Sequence, residues 1–102
     1  MEKWEIVRAI YGLEGLTITE KSLLIYIYSN AFMFVRMSNE ELGKALGGLS
    51  KRQVINCLNS LSEKKLIYYY WRKVVRTETL RSPYRTIYVN CEELYKLVGQ
   101  DA

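Results

Sequence analysis

What most constrains the fold of this chain is its helix punctuation. Four times an Asn, Ser or Thr stands three residues before a Glu or Gln, just ahead of a run with helical apolar spacing. The four are Thr17-Ile18-Thr19-Glu20, Ser38-Asn39-Glu40-Glu41, Ser50-Lys51-Arg52-Gln53 and Asn90-Cys91-Glu92-Glu93. In each, the first side chain can accept from the amide three residues on while the Glu or Gln reaches back to the cap amide, so two orphan donors of a helix start are satisfied together. Four such starts within 102 residues call for short elements, and a chain of that length supports one modest core. We therefore read 1–102 as a single domain.

Between these marks the apolar spacing names the elements. After Thr17, the residues Leu23, Leu24, Ile27, Tyr28 and Ala31 form a broad stripe, which predicts a central scaffold helix. MFVRM, residues 33–37, is brief and β-favouring and predicts one strand of a small sheet. Ser38 opens a helix with Leu42, Ala45 and Leu46 expected inside, and Gly47-Gly48-Leu49-Ser50 supplies a tight break in which glycine takes positive φ. In the helix that follows, Val54, Cys57, Leu58 and Leu61 fall on one arc, with Arg52, Asn56 and Asn59 opposite. Two β-rich runs come next: IYYYWRKVV after Leu66, and YRTIYV from Tyr84. The polar stretch between them, RTETLRSP over 76–83, is longer than a tight hairpin turn. An amphipathic helix is expected within 1–15, on Trp4, Val7, Ile10 and Tyr11, and a short one over 91–99, on Leu94, Leu97 and Val98. The class is α+β.

Charge is unevenly spread. The chain carries +4 overall, yet residues 50–89 hold nine basic and two acidic side chains and account for +7. That is the footprint expected of a polyanion binder. Other functions are poorly supplied. The chain has no histidine and only two distant cysteines, Cys57 and Cys91, so neither a zinc site nor the commonest general base is available. No phosphate loop or nucleophile elbow is present, and no enzyme activity, cofactor or small-molecule ligand is expected. The longest apolar stretch, 23–28, is far short of a membrane span, and the start MEKWEIVRAIYG lacks the pattern of a signal peptide. A cytoplasmic location with reduced cysteines is the reading that follows.

The helix opening at Ser50 bears the chemistry. Arg reads guanine bidentately, Asn and Gln read adenine, and an exposed Ile touches a thymine methyl. Arg52, Gln53, Ile55, Asn56 and Asn59 are of these types, and Ser50 with Lys51 suits a phosphate at a helix start. Arg72, Lys73, Arg76, Arg81 and Arg85 sit on the ribbon that follows. The stretch 16–90 resembles the winged helix-turn-helix superfamily through LTITEKSLLIYIYS, SNEELGKALGG, SKRQVINCLNSLSEKKLI and the basic hairpin. In texture it is similar to small bacterial, phage and archaeal regulators and to DNA-binding modules of plasmid or phage replication initiators.

The resemblance implies a three-helix core with a small antiparallel sheet and a β-hairpin wing, extended by the two terminal helices. It also implies duplex DNA contacts from Ser50, Lys51, Arg52, Gln53, Ile55, Asn56 and Asn59 and from wing residues such as Arg76 and Arg81. Two positions depart from the pattern. Lys65 stands where many relatives have a glycine, so a different helix ending is expected, and Asn56 and Asn59 stand where many carry Arg or Lys. The expected function is transcriptional regulation by occupancy of a promoter or operator. A replication-initiator module and a winged-helix protein-interaction module are the alternatives. For the terminal helices two readings stand side by side: a homodimer through Trp4, Val7, Ile10, Tyr11, Leu94 and Leu97 that matches two half-sites, or helices that cap their own domain's core. Residues 68–71, YYYW, are expected to pack and cover the sheet.

Overall fold

Three of the four boxes close in full, and they set the helix starts in the computed structural model, which describes residues 2–30, 33–71 and 85–99. Thr17, Ser38 and Ser50 each accept from the third helical amide, while Glu20, Glu41 and Gln53 reach back to the cap amide. Asn90 accepts from the Glu93 amide at 3.3 Å without a reciprocal bond. The elements are α1 (Lys3–Tyr11), α2 (Ile18–Tyr28), β1 (Phe34–Val35), α3 (Asn39–Ala45), α4 (Lys51–Glu63), β2 (Ile67–Trp71), β3 (Arg85–Val89) and α5 (Cys91–Leu97). Five helices thus accompany a three-stranded antiparallel sheet of order β1-β3-β2 among the described residues.

The core lies between the helices and one face of the sheet. Leu23, Leu24, Ile27 and Tyr28 of α2 meet Leu42 of α3, the Val54, Cys57, Leu58 and Leu61 arc of α4, and Val35, Ile67, Ile87 and Val89 of the strands. The α4 arc is buried as its spacing indicates. Ala45, expected inside, is exposed. The physical reason is close docking: α3 approaches the following turn through Gly43, so Leu42 and Gly43 point inward and Ala45 rotates away. MFVRM yields a strand of only two residues, because Met33 takes φ 59° and the chain after Val35 turns into the α3 cap.

The terminal helices close their own core. Ile6 and Ile10, one turn apart, carry α1, and Leu94 carries α5. Tyr28 and Tyr95 join α2 to α5 with hydroxyls 3.3 Å apart and rings edge-on. Ile10 and Leu94 are fully buried, so neither is available to the dimer contact expected of them. Trp4, Tyr11 and Leu97 remain half or more exposed, since a nine-residue helix resting on the Ile6–Ile10 line leaves positions 4 and 11 on its flank.

α4 ends in a Schellman motif. The Leu66 amide donates to the Leu61 carbonyl at 3.0 Å and the Lys65 amide to Ser62 at 2.9 Å, with Leu61 and Leu66 both buried. This corrects the expectation of a different ending: Lys65 itself adopts φ 62°. The paired carbonyls and the Leu61–Leu66 packing outweigh the cost of a side chain in that conformation. Lys65→Gly is accordingly expected to stabilise the fold by about 1 kcal/mol, raising Tm by roughly 4 °C or more in thermal unfolding.

Glu20 is buried where α2 meets α4. Its Oε1 accepts from the Thr17 amide at 2.7 Å, and its Oε2 lies 3.6 Å from Lys64 Nζ. Burial alone would raise its carboxyl, but hydrogen bonds from Ser60 and Thr17 and the Lys64 ammonium outweigh this and hold it below the ordinary value. A depressed folded-state value means that ionised Glu20 stabilises the fold above the unfolded value, near about 4.3. That contribution is lost as pH falls through the folded value. Glu20→Gln should therefore flatten the acid limb of a Tm-against-pH curve below about pH 4. A limb unchanged by the substitution would remove Glu20 from acid unfolding.

Candidate nucleic-acid interface

α4 is held at both ends and exposes one side chain stripe. At its start, the Gln53 amide donates to Ser50 Oγ at 3.1 Å and the Ser50 amide to Gln53 Oε1 at 2.9 Å. At its end the Schellman bonds tie it to β2. Between them Arg52, Asn56 and Asn59, at i, i+4 and i+7, point away from the buried arc. Lys51, Gln53 and Ile55 flank the stripe and are also exposed. Residues 51–62 contain no carboxylate, and the positive end of the helix dipole adds to the field at Lys51 and Arg52. Among the described residues, the side chains of Lys51, Arg52, Asn56 and Asn59 make no hydrogen bond or ion pair. Their donors and acceptors are open to an outside partner.

Two residues near the stripe serve the fold instead. Gln53 has its side-chain carbonyl committed to the cap, which leaves its amide donors for recognition. Ser60 faces α2, bonding Glu20 and accepting from Lys64 Nζ at 2.7 Å.

Arg85 is the larger departure. Instead of projecting from the ribbon, its Nη2 donates to the Met37 carbonyl and to Asn39 Oδ1, both at 2.9 Å. Its guanidinium lies over the Tyr69 ring at 5.8 Å, and burial pulls its pKa down while Tyr69 opposes the change. Its Nε is buried with no partner among the described residues. Arg85 thus clamps β3 to the start of α3. With Asn39, Ile55, Leu58, Asn59 and Tyr69 it lines a cleft of about 180 Å³ beside α4. Strand alternation carried the signal, since position 85 shares its face with Ile87 and Val89, which are buried.

Arg72, Lys73, Arg76 and Arg81 lie outside the described residues. Among the described residues no three His, Cys, Asp or Glu side chains gather as a metal site would require, and no helix is long and apolar enough to cross a membrane. Comparison with protein-family models, with curated proteins and with solved structures gave no match.

Proposed function

We propose that this chain is a winged helix-turn-helix protein that binds double-stranded DNA sequence-specifically, with α3, its glycine turn and α4 as the helix-turn-helix and β2 and β3 as the base of the wing. The observation that carries the reading is the unpartnered stripe of Arg52, Asn56 and Asn59 on a helix capped at both ends. Rigid presentation of Arg and Asn matches the donor and acceptor patterns of the major groove. Lys51 and the start of α4 meet backbone phosphate, and the basic excess over residues 50–89 supplies steering. The biological role is transcriptional regulation by occupancy of a promoter or operator. Paired chains bind two-fold related half-sites, with Trp4, Tyr11 and Leu97 as the exposed apolar contacts.

The test is selection of bound duplexes from a random-sequence library at near-physiological salt, followed by a salt titration on the enriched sequence. An enriched palindrome is expected, with log K falling by about 0.9 per neutralised phosphate for each decade of salt. No enrichment and a flat salt slope would favour the protein-interaction module.

A further inference from the structure

The side of the sheet turned away from the helices carries an aromatic row. Val35, Ile67, Tyr69, Ile87 and Val89 occupy the helix side, and the register puts Phe34, Tyr88 and Tyr68 side by side on the other, with Tyr70 opposite Thr86. The rings touch. Tyr68 stacks on Tyr88 at 5.1 Å and 11°, and Phe34 meets Tyr88 at 5.3 Å. Tyr68 and Tyr70 are 52% and 59% exposed, more than covering a sheet edge requires. Arg36 joins them: its Nε donates to Thr86 Oγ1 at 3.2 Å and its guanidinium sits over the Phe34 ring at 5.3 Å. None of the three strands contains an Asp or Glu.

Flat rings, one guanidinium and no carboxylate suit a partner that is planar and anionic at once. Unpaired nucleobases on a phosphate backbone have that chemistry, because every base offers a face for stacking and the backbone seeks a cation. Tyr68 and Tyr70, two residues apart on β2, offer successive platforms about 6.6 Å apart along the strand. A second copy of the chain fits less well, since a two-fold contact through this face would bring Arg36 and its copy into one interface without a carboxylate.

We propose that the outer sheet face is a second nucleic-acid site, distinct from α4, which takes single-stranded DNA by stacking bases on the exposed Tyr68 and Tyr70, with Tyr88 packed between Tyr68 and Phe34 as their support and Arg36 on the phosphates. The choice of DNA over RNA rests on the duplex-reading role of α4, whereas the stacking chemistry does not.

The full chain is titrated against a fluorescein-labelled deoxythymidine oligonucleotide of about twelve nucleotides, read by anisotropy at low salt. Wild type is expected to bind, and the Tyr68→Ala, Tyr70→Ala double variant to bind at least about tenfold more weakly. Tyr68→Phe with Tyr70→Phe keeps the rings and stays within about twofold of wild type. In a background carrying Arg52→Ala and Asn56→Ala, the Tyr68→Ala, Tyr70→Ala pair still weakens this binding at least about tenfold. Circular dichroism shows whether each variant is folded, and both tyrosines are exposed enough for alanine to be tolerated. Absence of wild-type binding, or equal binding by the folded alanine variant, overturns the proposal. So does tighter binding of oligouridine, or a dimer in sedimentation that the alanine pair dissociates. A failed duplex selection alongside the expected oligonucleotide results removes the α4 reading and the reason for choosing DNA, while leaving the stacking site in place.

Discussion

Gly43→Ala is expected to destabilise the protein by about 3 kcal/mol or more, because Gly43 alone among the glycines has no room for a Cβ. Gly43 is buried in α3, and a Cβ there would collide with the backbone carbonyl of Leu49, with the Val54 side chain close behind at 3.6 Å. A flexible side chain yields to such an intrusion, but this carbonyl is fixed. The Gly48 and Leu49 amides both donate to the Gly43 carbonyl, at 2.9 and 3.0 Å, and Gly47 and Gly48 hold φ of 88° and 101° to bring the chain around. Relief therefore requires α3 and α4 to separate, which loosens the packing of Leu42 and Val54 as well. Urea unfolding gives the measurement, and because helix propensity favours Ala over Gly by about 1 kcal/mol, a neutral result would mean that the turn relaxes freely.

The second large effect falls on binding. Arg52→Ala combined with Asn56→Ala should leave stability nearly unchanged, because both side chains are exposed and alanine is a good helix former. Affinity for the selected duplex should fall on the order of a hundredfold or more, since a bidentate base contact is worth about 1–3 kcal/mol. Affinity for random duplex should change far less. Lys51→Ala provides the contrast: a phosphate contact weakens all sequences alike and lowers the salt slope by about 0.9. If the pair behaved like Lys51→Ala, the stripe would be an electrostatic surface and not a reading one.

Legibility differed from site to site for local and non-local reasons. Capping is local: a side chain three residues from its partner needs no tertiary context, and Thr17, Ser38 and Ser50 close their boxes as spacing predicts. The exposed and buried faces of α4 are likewise legible from helical period, because that helix lies across the core along one side. α1 is too short for period alone. Trp4, Val7, Ile10 and Tyr11 look like its apolar face, yet contact with α2 selects Ile6 and Ile10. Arg85 is misread from charge, since a basic residue on a ribbon suggests an outward contact until Met37 and Asn39 are seen beside it, 48 and 46 residues away in sequence.

Lys65 shows how the two kinds of information combine. Its sequence position marks a helix end without glycine, and local preference alone would avoid the left-handed region. Burial of Leu66 against the core reverses that preference, with two backbone bonds gained at the same corner.

By itself the sequence determined where helices begin, which arc of α4 is apolar, and that the positive charge gathers in residues 50–89, because each depends on neighbours a few residues apart or on composition. Only the tertiary structure decided which face of α1 is buried, which groups the Arg85 guanidinium clamps, that Gly43 must lack a side chain, and that Phe34, Tyr88 and Tyr68 form one row. Each of these depends on residues brought together from distant parts of the chain, whose spacing along the sequence carries no record of the contact.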